Sequence, residues 1–252
     1  MRLALLRVEA VRSALSLELG REIEFFDRVA STQDRARELA AAGAASAIVV
    51  ADEETAGRGT KGRSWLAPKG TSLLASWLFR PAPAEPALFV VLSGVAVARA
   101  LEHFGAPHAS VKWPNDVEID AKKVAGALAH ATTDAEGGSL VLGIGVNVHQ
   151  RQGDFPDALR ITATSLALVA PPVDRLSLLA ALTRELDRVA LPSERAAALD
   201  EWRRRATLLG REVEVVRDGR PPLHGVARDI ADDGALLVGP ERVVAGAVRP
   251  LR

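Results

Sequence analysis

Two short stretches carry residue types that can do chemistry. Residues 56–66 read Ala-Gly-Arg-Gly-Thr-Lys-Gly-Arg-Ser-Trp-Leu, three glycines alternating with three cations and closed by Trp65. Glycine permits positive φ and close approach of a ligand. The backbone N–H groups can then turn inward as an anion-binding nest, with Arg58, Lys61 and Arg63 supplying charge. The competing reading is a flexible, solvated basic loop. Residues 111–116, Val-Lys-Trp-Pro-Asn-Asp, form the second stretch. Pro114 biases Trp113 toward extended geometry, so a strand runs to its end with Lys112 and Trp113 on opposite faces. One of the two must face a cavity. A lysine there is costly to bury without an anion, or else snorkels to solvent. Asn115 and Asp116 then make a turn, where Asp116 either holds a magnesium ion or caps the turn.

The glycine loop nearly spells the phosphate-binding pattern G-x-x-x-x-G-K-[ST], departing at Arg63. That motif must open a helix whose N-terminus receives phosphate. Here Trp65, Pro68 and Gly70 follow, then a strand, and no helix can begin. Gly143-Ile144-Gly145 also follows a strand but lacks the third glycine and the helix of a dinucleotide fingerprint. What remains is a loop able to fold around an anionic ligand and shield it from water.

Around these segments the chain alternates strand and helix signals. Residues 22–29 read as an edge or hairpin strand. Ser31, with Asp34 three positions on, reads as a helix start whose hydroxyl caps a free N–H, and the helix should end near Gly43. Residues 46–52 and 71–79 are apolar strands. Leu88, Val91, Leu92, Val95 and Ala98 recur at helical spacing within 84–104. Residues 110–113 form a strand, and 124–132 with 139–148 flank a hairpin turn. A helical region spans 174–204, broken near Pro192. Beyond Leu208, short strands at 213–217, 223–230, 235–238 and 242–245 suggest a small β-barrel.

Composition limits the alternatives. The 252 residues are 48% hydrophobic and 25% charged, with Lys+Arg and Asp+Glu balanced at 32 each. No global field therefore favours nucleic acid or an anionic membrane. The lack of cysteine removes disulfides, thiolate catalysis and thiolate metal sites. The five histidines have no zinc-like spacing. Charges interrupt the N-terminal twenty residues, which suit a short helix rather than a signal peptide, and no stretch reads as a membrane span. The expectation is a soluble, cytoplasmic protein.

Ser31-Thr32-Gln33, the glycine loop, Lys112-Trp-Pro-Asn-Asp116, Lys123-Val-Ala-Gly126, Gly143-Ile-Gly-Val-Asn147 and Phe155-Pro156 with Ala163-Thr-Ser-Leu166 occur in that order. Together they resemble the biotin protein ligases of the type without a DNA-binding domain, from about Asp27 to the C-terminus. The resemblance implies an α+β fold. A mixed β-sheet flanked by helices (the catalytic domain shared with class II aminoacyl-tRNA synthetases) would occupy residues 1–206, with 1–21 a helical extension. An SH3-like barrel would occupy 207–252. It implies ATP-dependent activation of biotin as biotinyl-5′-AMP and transfer to a lysine of a biotin carboxyl carrier protein, with Mg2+ accompanying ATP. Lys112 would bridge the biotin carboxylate and the α-phosphate, and Arg58 would act beside it. Ser31, Thr32, Gln33, Glu54, Gly59, Thr60, Gly126 and Gly145 would contact biotin or its adenylate. Trp65, Asn115, Lys123 and Asn147 would border ATP, with Asp116 toward magnesium.

Two positions depart from the family pattern, which commonly has glutamine at Glu54 and arginine or lysine at Thr60. A carboxylate at Glu54 cannot donate to the ureido carbonyl, and Thr60 leaves the loop one cation short unless Lys61 or Arg63 replaces it. Three other functions fit less well. A lipoate or octanoate ligase shares the fold. A bifunctional repressor needs a helix-turn-helix domain, for which too few residues precede the first strand, so no operator binding is expected. A non-catalytic biotin-binding protein needs no Lys112. Related ligases often dimerise through the sheet edge, so a homodimer is possible.

Overall fold

The computed structural model describes residues 20–135, 137–217 and 219–251; the N-terminal helix expected within 1–21 lies outside the described residues but for its last two. The chain forms a seven-stranded mixed sheet flanked by helices, followed by a five-stranded antiparallel sheet. The large sheet has the order β1-β2-β3-β7-β6-β5-β4. Its strands are β1 (Glu22–Phe26), β2 (Ser46–Ala51), β3 (Ser72–Phe79), β4 (Ser110–Lys112), β5 (Asp116–Ile119), β6 (Lys122–Thr132) and β7 (Ser139–Asn147). β1 is an edge strand but not half of a hairpin. It pairs parallel with β2, and a parallel pair needs a crossover, here helix α1 (Thr32–Ala41). That helix stops at Ala42, and Gly43 takes φ +90°, as expected for a glycine just past a helix end.

Alternation along the strands divides the sheet into two faces. Leu73, Ala75, Trp77, Leu140, Leu142, Ile144 and Val146 join the main core with helices α2 (Pro86–His103) and α4 (Arg175–Ala190). Trp77 Nε1 donates to Thr183 Oγ1 at 2.9 Å, tying the sheet to α4. α2 has the length and composition of a membrane span, but two thirds of it is buried inside the protein, which makes it the core helix. The opposite face carries a smaller cluster in which Ala36 and Ala40 of α1 meet Val49, Leu78 and Val141. α1 covers only part of that face, and the uncovered part is the site described below.

The expected break near Pro192 separates α4 from α5 (Arg195–Arg205); a one-turn helix, α3, spans Leu166–Val169. Arg99 of α2 meets Glu185 of α4 and Glu201 of α5, and Arg205 meets Glu102 and Glu201. Hydrogen bonds from Arg205 hold the Glu102 carboxyl below its ordinary range, against the opposing effect of burial.

The C-terminal unit, expected as an SH3-like barrel, forms an antiparallel sheet of order β11-β10-β9-β8-β12. It comprises β8 (Glu212–Val216), β9 (Leu223–Ile230), β10 (Leu236–Val238), β11 (Glu241–Val243) and β12 (Ala247–Pro250). β12, absent from the sequence reading, pairs with β8.

Candidate active site

The register of the large sheet lines up Leu74, Gly145, Gly126, Asp116 and Lys112 in one row across β3, β7, β6, β5 and β4. Two glycines in mid-row leave a trough. A Cβ on Gly145 would lie 2.6 Å from the Trp65 ring, and one on Gly126 would lie 2.9 Å from Lys123 Nζ. The trough opens into a cavity of about 380 Å3, within the range of small-ligand pockets. All fifteen residues singled out from the sequence line it: Ser31, Thr32, Gln33, Glu54, Arg58, Gly59, Thr60, Trp65, Lys112, Asn115, Asp116, Lys123, Gly126, Gly145 and Asn147.

One end of the cavity is built on the N-terminus of α1. Ser31 holds the N-cap position with extended backbone, yet its side chain makes no capping bond. Its Oγ is buried and unpartnered, contrary to the expected cap. Glu54 meets the helix end instead, its Oε1 accepting from Thr32 N at 2.6 Å and Thr32 Oγ1 at 2.7 Å. A carboxylate is stabilised at the positive end of a helix, which frees the Ser31 hydroxyl for the cavity. Thr32 Oγ1 is also 2.9 Å from Ser76 Oγ. Gln33 Nε2 donates to Leu128 O at 2.9 Å.

The other end is a cluster of four charges. Lys112 points into the cavity, while Trp113 turns to the core, 3% exposed. Lys112 Nζ lies 3.0 Å from Glu118 Oε1, and Lys123 Nζ lies 2.6 Å from Asp116 Oδ1. Lys123 Nζ also sits 5.6 Å from the Trp65 ring centre. The Asn115 side-chain amide donates to Ala127 O. Asn147 Nδ2 donates to Thr164 O at 2.9 Å and its Oδ1 accepts from Gln150 Nε2 at 3.1 Å. These two amides hold the cavity floor. Asp116 was read as a turn residue open to magnesium, but it begins strand β5 and its carboxylate is engaged by Lys123. Among the described residues no group of three acidic or histidine side chains could hold a metal. Magnesium usually needs carboxylates together with substrate phosphates, and both carboxylates here are already paired with lysines. The residues do not build a resident metal site, and no step is derived through one.

The glycine loop folds back on itself. Arg58 bridges to Ser64, Gly59 N donates to Arg63 O at 2.7 Å, and residues 60–62 form a single 3-10 turn. Arg58 Nη2 reaches Asp34 Oδ2 at 2.8 Å, fastening the loop to α1. Arg63 donates to Thr60 O at 3.2 Å and to Thr60 Oγ1 at 3.0 Å, so a guanidinium does reach Thr60. Trp65 lies half-buried over Gly145, its Nε1 unpartnered. It both anchors the loop and lines the cavity.

Glu118, Ser76 and the ion-pairing role of Asp34 were missed from the sequence. The signal for Glu118 was the alternation Asp116, Val117, Glu118, Ile119, hidden because the two residues after Pro114 were read only as a turn.

Residues 25–147 match the model of the biotin/lipoate A/B protein ligase family, and residues 208–247 match the biotin protein ligase C-terminal domain. A biotin–[acetyl-CoA-carboxylase] ligase of Paracoccus denitrificans is 33% identical over 229 residues, covering 84% of this chain and 91% of that one. The chain belongs to the biotin protein ligase family. The bifunctional ligase/repressor BirA of Bacillus subtilis is 38% identical over 166 residues, which are 64% of this chain and 51% of BirA. The chain thus matches about half the length of that relative. The biotin protein ligase of Aquifex aeolicus, solved with biotin and ATP, superposes with a TM-score of 0.77 at 25% identity, covering 91% of this chain and 99% of the other.

Proposed function

We propose that this family member is an ATP-dependent biotin protein ligase. The observation that carries the reading is the polarity of the cavity. It offers an unpartnered buried hydroxyl and the hydrogen-bonded Thr32–Glu54 pair at one end, and two lysines at the other. Biotin has the matching polarity, a cyclic urea at one end and a carboxylate at the other. A biotin carboxylate oxygen attacks the α-phosphorus of ATP, giving biotinyl-5′-AMP and pyrophosphate. The amine of a lysine on a biotin carboxyl carrier protein then attacks the acyl carbon and AMP leaves.

Two anions must meet in the first step, so the site needs fixed cations aimed at the developing charge. Lys112 bridges the carboxylate and the α-phosphate. Lys123 and Trp65 flank the nucleotide, and Arg58, Gly59 and Thr60 close over the adenylate. Ser31, Thr32 and Gln33 bind the urea. Magnesium enters with ATP as part of the substrate, and the reaction belongs in the cytoplasm, where ATP and carrier proteins meet.

Incubating the chain with ATP, biotin and a carrier domain, and probing with streptavidin, tests the whole reading. Labelling should require ATP, and no labelling counts against it. Lys112→Ala should abolish biotin-dependent pyrophosphate exchange in protein that still folds; wild-type turnover in that variant would refute the role of Lys112. The matched family model spans lipoate as well as biotin enzymes, while the C-terminal match is to biotin ligases alone. Titrating biotin against lipoate separates the two substrates.

A further inference from the structure

Glu118 is a buried carboxylate in the cavity to which the proposed reaction gives no task. It is 8% exposed, on the same face of the sheet as Lys112 and opposite Ser110 in the β4–β5 register. Its presence runs against simple electrostatics, since both reactants are anions and a fixed negative charge among them repels them. Its partner explains it. Asp116 faces Lys112 directly in the register but is taken by Lys123 at 2.6 Å, whereas Glu118 Oε1 holds Lys112 Nζ at 3.0 Å. Each lysine therefore has its own carboxylate.

We propose that Glu118 is the positioning residue for Lys112. An ammonium has three N–H donors. With one committed to Glu118, two remain, one for the biotin carboxylate and one for an α-phosphate oxygen. Lysine is a point charge on a flexible four-carbon stem, and fixing it before substrate arrives removes that ordering from the barrier of the reaction. The strand carrying Glu118 is paired on both sides, by β4 and β6, so the carboxylate stands on a rigid element, as a precise site requires. The repulsion it adds falls on binding of the anionic substrates, while the orientation it gives falls on the chemical step. The two effects separate in KM and kcat.

This inference rests on the ligase reading of Lys112. It is tested by biotin-dependent pyrophosphate exchange in the full chain, normalised to folded protein by thermal unfolding. Glu118→Ala should lower kcat about tenfold or more without raising KM for ATP. Glu118→Gln keeps an acceptor oxygen within reach of Nζ and should recover kcat to within about threefold of wild type. A residue needed only for the fold would change the folded fraction and leave kcat per folded molecule alone. Wild-type kcat in Glu118→Ala, or no recovery in Glu118→Gln, overturns the proposal. Absence of exchange in the wild-type chain overturns both this inference and the ligase reading. Wild-type exchange with unaffected Glu118 variants overturns this inference alone.

Discussion

At Glu54 a single side chain decides the direction of the hydrogen bonds that Thr32 makes at the α1 end of the cavity. A carboxylate accepts only, so the one proton of the Thr32 hydroxyl goes to Glu54. The 2.9 Å contact between Thr32 and Ser76 then has Ser76 as donor. Thr32 is left able to accept from a ligand N–H, and the unpartnered Ser31 hydroxyl is the donor for a carbonyl. Such a site should favour ligands rich in N–H. Compared with wild type, Glu54→Gln should shift the Kd ratio for biotin over an analogue carrying a cyclic guanidinium in place of the urea by about tenfold against the analogue, since hydrogen bonds to charged groups are the stronger ones. Calorimetric titration measures the ratio, and an unchanged value would sink the argument. Thr60 is the other departure. Arg63 already reaches it, but through a hydrogen bond rather than from the position itself. Thr60→Arg should slow release of biotinyl-5′-AMP several-fold by adding a cation to the loop; an unchanged dissociation rate would show that Arg63 suffices.

At the scale of elements, the site is a property of register. No spacing in the sequence announces that Gly126 and Gly145 stand side by side, because pairing between strands is non-local. The long strands were legible from their apolar runs, the core helix from its period, and the break at Pro192 from its residue type. β5 and β12 were not. β5 has four residues, two of them acidic, and gains its strand character only between β4 and β6. The parallel pairing of β1 was equally hidden, since period-2 alternation does not tell a crossover from a hairpin. Arg58, Lys112 and Asp116 stood out by residue type and the resemblance supplied the other residues that line the cavity; their hydrogen-bond partners were not legible. The glycine row makes an element-level prediction. Gly145→Ala places a methyl where the Trp65 ring lies, and the paired backbone of β7 cannot retreat. Trp65 must leave, so KM for ATP should rise about tenfold, the effect of losing one aromatic stacking contact, while biotin affinity stays within about threefold. Equal loss of both affinities would show that the strand itself had been distorted.

At the scale of the whole molecule, the residue next to the lysine joins the two sheets. Trp113 Nε1 donates to Gly234 O at 2.9 Å, across 121 positions of sequence. The spacing sets Lys112 and Trp113 on opposite faces, but it does not show that the second face meets the C-terminal sheet. Arg203 of α5 adds bonds to Asp229 Oδ1 and Ile230 O, and Arg195 reaches Asp232 O. The turn ending at Gly234 therefore sits where α2, α5 and the Lys112 segment converge. Gly234 has φ +90°, and a Cβ there would lie 2.8 Å from Leu88 Cα. Neither the conformation nor the contact tolerates a side chain. Gly234→Ala should destabilise the protein by about 2 kcal/mol or more, from backbone strain together with a lost buried hydrogen bond. Trp113→Phe removes the N–H together with part of the indole ring and should cost about 2–4 kcal/mol, because the Gly234 carbonyl is left buried without its donor and a cavity is left in the core. If docking of the small sheet steadies Lys112, both variants should lose pyrophosphate exchange at temperatures below their unfolding midpoints. Calorimetry beside the exchange assay separates the outcomes. Lowered midpoints with full activity below them would make the contact purely structural, and unchanged midpoints would mean that Trp113 and Gly234 do not hold the two sheets together.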